Sequence, residues 1–105
     1  MSAREFDKLV RDRIPDIIRE NGGTPVCRTL SEEEYVSRLE EKLGEELAEY
    51  LESRDAEELA DLLEVILALA ASQGVSPQDL ERIRREKAEK RGGFFERTLL
   101  IRVTD

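Results

Sequence analysis

Two acidic motifs lie close together in this chain, Glu45-Glu46-Leu47-Ala48-Glu49 and Glu58-Leu59-Ala60-Asp61. Both read as helical. Side chains three residues apart are neighbours on a helix, so Glu46 stands one turn from Glu49, and Glu58 one turn from Asp61. Where two such helices face each other, four carboxylates can converge. Hard divalent cations such as Mg²⁺ take oxygen ligands of this kind, and the chemistry that follows is metal-assisted work on phosphates.

Residue types narrow the metal. The chain has no His and a single cysteine, Cys27. A di-iron bundle needs Glu-x-x-His, and zinc prefers His or Cys. All-oxygen ligation leaves Mg²⁺ or Mn²⁺. Such an ion keeps several waters, shares phosphate oxygens with a substrate, and lowers the pKa of a bound water.

The elements that must position these acids follow from the pattern of apolar residues. Glu5 to Arg11 reads as an extended lead-in. Asp12 is placed to cap a first helix with Pro15 in its first turn, ending at Asn21-Gly22-Gly23. Thr24 to Leu30 reads as an extended connector or short strand. Ser31-Glu32-Glu33-Glu34 is a capping box that opens a second helix, whose stripe is Val36, Leu39, Leu43, Leu47 and Tyr50. Ser53-Arg54-Asp55 breaks or kinks the pattern, and Ser53 or Asp55 can cap a third helix. Its wide apolar face, Leu59, Leu62, Leu63, Ile66 and Leu69, is expected to be largely buried. Gly74 ends it. Ser76-Pro77 starts a polar fourth helix that runs to Arg91-Gly92-Gly93, and Phe94 to Val103 carries strand-forming residues. The fold class expected is mainly α, a helical bundle with short extended segments at both ends. Residues 1–105 read as one domain.

At about 100° per residue, Glu46 falls roughly 60° and Glu49 roughly 120° from a stripe centred on Leu43, with Lys42 between them. Glu58 projects about 40° from Leu62 and Asp61 about 60° further out. These acids border the buried faces instead of occupying the opposite ones, and four carboxylates so placed repel each other unless cations neutralise them. Glu45 lies near the solvent side.

Composition sets the remaining bounds. Charged residues make up 40% and aromatics 5%, favouring charged helices over a β-sandwich. A formal net charge of −8 argues against generic nucleic-acid binding, which needs a basic surface. A lone cysteine builds no intrachain disulfide framework, and Cys27 reads as a small packing residue. No apolar run approaches the ~20 residues that span a bilayer, and Met1 to Asp7 has no signal-peptide core. The expected setting is cytoplasmic, without membrane or nucleic-acid partners. A chain of this length buries a modest core, and pairing with copies of itself, as a homodimer or a higher homo-oligomer, is expected to complete it.

The residues also resemble a known group. Lys42-Leu43-Gly44-Glu45-Glu46-Leu47-Ala48-Glu49, followed by Glu58-Leu59-Ala60-Asp61-Leu62-Leu63, is similar to the core of the all-α nucleotide pyrophosphohydrolases. That superfamily includes MazG-like enzymes and phosphoribosyl-ATP pyrophosphohydrolase. Lys8-Leu9-Val10-Arg11-Asp12-Arg13-Ile14-Pro15 and Lys90-Arg91-Gly92-Gly93-Phe94 look like a MazG-like subfamily of small stand-alone enzymes. The resemblance spans almost the whole chain. It implies that Glu46, Glu49, Glu58 and Asp61 bind Mg²⁺, with Glu45 an extra acid. It also implies hydrolysis of a nucleoside triphosphate between the α and β phosphates, giving a monophosphate and pyrophosphate, to remove non-standard or excess nucleotides. Eight residues separate Glu49 from Glu58, fewer than in many members, so a tight interhelical turn is expected.

Phosphate chemistry in so acidic a chain needs local cations. Lys8, Arg11, Lys42, Lys90 and Arg91 are the candidates for holding substrate phosphates; Arg suits bidentate contacts, and glycine pairs let backbone N–H groups approach an anion. The simpler role for Lys90 and Arg91 is solubilising charge at a helix end. Core packing is expected of the aromatics, with Tyr50 the exception that could meet a base. Phosphoribosyl-ATP hydrolysis is the nearest enzymatic alternative. A non-catalytic helical interaction module, or more remotely a structural Ca²⁺ site, would be the others.

Overall fold

A computed structural model describes residues 3–105; Met1 and Ser2, the start of the segment read as lacking an export signal, lie outside it. Its elements are four helices: α1 (Ile14–Glu20), α2 (Glu32–Ser53), α3 (Ala56–Ser72) and α4 (Pro77–Arg91). The fold is all-α, as the sequence indicated, and among the described residues no strand forms. Thr24 to Leu30 and Phe94 to Val103 are strand-forming in composition but make no backbone ladder with another segment, and an unpaired strand is not stable in water.

Local chemistry explains where the helices begin. Ser31 Oγ accepts from the Glu34 N–H, and the Glu34 carboxylate accepts from the Ser31 N–H, so the capping box at α2 is complete. Arg28 adds a two-pronged contact to the same carboxylate, with its Nη2 at 2.9 Å. Together these hold the Glu34 pKa down at about 2, the Arg28 hydrogen bond being the largest cause. At α4, Ser76 Oγ accepts from the Asp79 N–H and Pro77 takes the first helical position. α1 departs from expectation. Its N-cap is Arg13, with no side-chain capping bond, because a turn from Arg11 O to Ile14 N (3.0 Å) carries the chain past Asp12 into the helix.

The turn between α2 and α3 is short. Arg54 ends α2 in the left-handed region at φ 61°. Its N–H donates to Tyr50 O (2.7 Å) and its Nε to Leu51 O (2.8 Å). Asp55 precedes α3 as N-cap and donates its own N–H to Ser53 Oγ. With two residues outside the helices, α3 doubles back along α2, and the acids of both helices end up close to the turn.

Packing is thinner than the apolar pattern implies. α2 lies along α3, α3 meets α4, and α1 packs on no other helix. Among the described residues the buried apolar side chains are Leu39 (4% exposed) and Val65 (6%). Leu47, Leu51, Leu59 and Leu63 are exposed, correcting the expectation that the α3 face is largely buried and that Leu47 belongs to the covered stripe of α2. α2 instead turns Leu39 and Glu46 inward. Cys27 is exposed and packs against nothing that would make it a core residue. The chain measures 70 × 32 × 22 Å with a radius of gyration of 18.7 Å, against about 13 Å for a compact chain of this length.

Candidate metal and phosphate site

The α2–α3 hairpin brings the acids together. One carboxylate oxygen each from Glu46, Glu58 and Asp61 lie within 4.8 Å of one another. Glu46 is 9% exposed, the buried charged residue of the described chain. Its Oε2 and the Oε2 of Glu58 are both buried without a hydrogen-bond partner. A buried carboxylate oxygen normally finds a donor; these two, on residues of the same cluster, have none.

Electrostatics agree. Burial, followed by the neighbouring Glu49 charge, pushes the Glu46 carboxyl up from its ordinary value; Lys42 opposes the rise and Asp61 adds to it. The Lys42 Nζ lies 3.7 Å from Glu46 Oε1, too distant for a strong hydrogen bond, so burial and like charge outweigh the ion pair. Glu58 is pushed up for the same reasons, burial first, then Glu49 and Asp61. Glu49 is exposed and bears electrostatically on both Glu46 and Glu58.

An all-oxygen set with no nitrogen or sulfur fits Mg²⁺ or Mn²⁺ by donor chemistry, and the two unpartnered oxygens fit the need for a cation. Glu45 lies outside the cluster and lines a neighbouring concavity instead.

Two cations frame the acids. Arg11 Nη2 donates to Asp61 Oδ1 at 2.6 Å, bringing the N-terminal segment against α3. Arg38 secures the same segment to α2, donating to Asp7 O (2.9 Å) and to both Asp7 carboxylate oxygens (3.3 Å). A cleft of about 200 Å³ results, with Arg11, Lys42, Glu46, Asp61 and Tyr35 in its walls. A second concavity of about 210 Å³, sharing Leu9 and Lys42 with the first, holds Lys8 and Arg38.

The site residues read from sequence therefore divide. Glu46, Glu49, Glu58, Asp61, Arg11 and Lys42 gather at one place, and Lys8 lies next door. Lys90 and Arg91, at the far end of α4, line neither cleft. The aromatic at the cleft is Tyr35, not Tyr50. Tyr35, Leu39, Lys42 and Glu46 repeat at the four- and three-residue steps of one helix face, a pattern that could have singled out Tyr35. Arg38 and Glu64 were also missed; Arg38 shows only through its long-range grip on Asp7, which no local pattern encodes.

The structure thus gathers carboxylates from two antiparallel helices beside a cationic N-terminal segment. The chain belongs to the phosphoribosyl-ATP pyrophosphohydrolase family, whose model matches residues 3–88, and so to the MazG-like superfamily that contains it. At the level of class the family carries pyrophosphohydrolase activity. An uncharacterized protein of Mycolicibacterium smegmatis is 62% identical over 42 residues, 40% of this chain and 43% of the relative. The match thus spans less than half of that relative. No solved structure matches the chain.

Proposed function

We propose that this protein is a Mg²⁺-dependent nucleoside triphosphate pyrophosphohydrolase that releases a nucleoside monophosphate and pyrophosphate, serving in the cytoplasm to remove non-standard nucleotides. The observation that carries the reading is the convergence of Glu46, Glu58 and Asp61, two of them with buried unpartnered oxygens, beside Arg11 and Lys42.

Glu46, Glu58 and Asp61 would hold the metal, with Glu49, one turn from Glu46 on α2, as the fourth acid of the set. A bound Mg²⁺ supplies charge neutralisation at phosphate oxygens and a more acidic water. Arg11 holds its guanidinium on Asp61 at 2.6 Å, beside the cluster, where a phosphate can take its other donors in a bidentate contact. Lys42 projects from the same face of α2 as Glu46, one turn away, and can follow charge that develops on the leaving pyrophosphate. Tyr35 offers a flat wall for a base or sugar.

Phosphoribosyl-ATP hydrolysis is the second reading, favoured by the description of the matching family itself. Similarity of the Lys8–Pro15 and Lys90–Phe94 motifs to small stand-alone pyrophosphohydrolases favours the first. Pyrophosphate release from standard and modified nucleoside triphosphates and from phosphoribosyl-ATP, with Mg²⁺, Mn²⁺ or EDTA, separates them. Metal-dependent release lost in Glu49→Ala is expected. No release from any nucleotide by folded, metal-supplied protein would leave the interaction-module reading standing.

A further inference from the structure

Residues 3–13 precede α1 without helix or strand, and all of them but Leu9 are exposed. So bare a segment has little packing to fix its place, and α1 behind it meets no other helix. Leu9, Arg11 and Asp12 nevertheless line the carboxylate cleft. Among the described residues, two polar side-chain contacts tie this strap to the hairpin: Arg11 donates to Asp61 on α3, and Arg38 on α2 grips Asp7. Asp7, Leu9 and Arg11 follow at two-residue steps, the interval at which an extended chain returns a side chain to one face. The strap is thus held by an ion pair at each end, with its half-buried leucine between them.

The Arg38 end holds backbone as well as side chain. Its Nη1 donates to the Asp7 carbonyl O at 2.9 Å, and its Nη2 to the two carboxylate oxygens at 3.3 Å each. That contact uses the rigid planar fork of a guanidinium, which an ammonium does not reproduce. Asp7 is a residue in need of holding. Its φ of 46° lies in the left-handed region, which Asp tolerates better than most residues but which L residues otherwise avoid. Such a conformation persists where the surroundings fix it.

Arg38 does not itself reach the acids. It lines the neighbouring concavity and not the carboxylate cleft, and it precedes Glu46 on α2 by eight residues, roughly 12 Å along the axis. Its charge is matched by Asp7. Whatever it contributes to the cleft must pass along the strap, by way of Leu9, which lines both concavities, to Arg11. The other tie, Arg11 to Asp61, joins side chains 54% and 39% exposed, and an exposed pair holds little by itself. With Arg38 gone, a ligand of Arg11 would have to order the strap as it bound, and affinity falls by that cost.

We propose that Arg38 is a positioning residue for phosphate binding: by gripping Asp7 it fixes the Asp7–Arg11 strap against α2, so that Arg11 stands beside the carboxylate cluster before a substrate arrives. That Arg38 fixes the strap stands on geometry; that this serves phosphate binding rests on the pyrophosphohydrolase reading. Two measurements on the full-length chain keep these apart. Backbone ¹⁵N relaxation decides the first without any ligand. Order parameters at Lys8, Leu9 and Val10 of about 0.85 in wild type, falling below about 0.6 in Arg38→Ala while those of α2 and α3 hold, are expected. Equal values in the two proteins overturn the clasp. Calorimetric titration with the magnesium complex of inorganic pyrophosphate decides the second. Arg38→Ala should weaken binding about 10-fold, as should Arg11→Ala, and the double variant should bind no more weakly than Arg11→Ala alone, since coupled residues do not add. Losses that multiply to about 100-fold would make Arg38 an independent contributor and reject the positioning role. Arg38→Lys keeps the charge beside Asp7 and loses the fork; wild-type order and affinity in that variant would reject it too. If Arg38→Ala loosens the strap yet binds pyrophosphate as wild type does, the clasp does not serve the site. If the strap depends on Arg38 but wild type binds no pyrophosphate, the clasp stands and the pyrophosphohydrolase reading falls.

Discussion

Arg11 Nη2 sits 2.6 Å from Asp61 Oδ1, a contact that joins residues 50 apart in sequence and closes the N-terminal segment over the acidic cluster. Both side chains remain partly exposed, 54% and 39%, so the pair contributes at most about 1 kcal/mol to stability. Its importance would lie in holding a phosphate-binding guanidinium at the site. Arg11→Ala should leave the melting temperature almost unchanged while raising KM about 10-fold or more, since a hydrogen bond to a charged group is worth roughly 1.5–3 kcal/mol. A KM equal to wild type in steady-state assays would remove Arg11 from substrate binding.

Glu58 carries a buried, unpartnered oxygen among like charges. Glu58→Gln removes a negative charge there and keeps the shape. Turnover should fall at least about 100-fold, as loss of a metal's supporting carboxylate commonly costs 10- to 100-fold and a direct ligand more. The metal-free variant should melt no lower than metal-free wild type. Calorimetric titration with Mn²⁺ tests the same residue without any substrate, and undiminished affinity would count against it as a ligand.

The raised values of Glu46 and Glu58 give the metal-free protein an inverted acid response. A carboxyl whose folded pKa lies above its unfolded value of 4.5 stabilises the fold when protonated. That contribution is complete below about pH 4.5 and lost as pH rises through the folded values above it. In EDTA, thermal melts should therefore rise as pH falls from 7 towards 5. Excess Mg²⁺ should flatten the trend by stabilising the ionised cluster. A melting temperature that falls over the same range in EDTA would contradict the cluster's electrostatics.

Glu34 behaves oppositely. With its pKa held at about 2 by Arg28 and Ser31, its contribution is present above the unfolded value of 4.5 and is lost as pH falls through about 2. Ser31→Ala removes the cap oxygen and should destabilise the protein by about 1 kcal/mol. Chemical denaturation at pH 7 would show it, and an unchanged midpoint would mean α2 is held by packing alone.

Leu39 is 4% exposed where α2 meets α3, so Leu39→Ala should cost about 2–5 kcal/mol and loosen the cluster two turns away. Loss of metal affinity in step with stability would show that the hairpin's packing positions the acids.

Sequence alone determined what depends on neighbours along the chain. Ser31 with Glu34, and Ser76 with Pro77, announce two helix starts because capping is a contact within one turn. Glu46, Glu49, Glu58 and Asp61 declare themselves by helical spacing, and Ser53–Asp55 marks a break or kink between their two helices without saying that α3 doubles back along α2. What the tertiary structure decided are relations that no periodicity encodes. Arg11 reaches Asp61 and Arg38 reaches Asp7 across the fold. Tyr35 takes the cleft wall while Tyr50 does not, because α2 is rotated to bury Leu39 and Glu46 instead of centring on Leu43. Leu59 and Leu63 show how far apolar pattern can be pushed: it records that a face must be covered, not whether the same chain covers it, since hydrophobic burial has no preferred direction and no memory of which chain supplies the other surface.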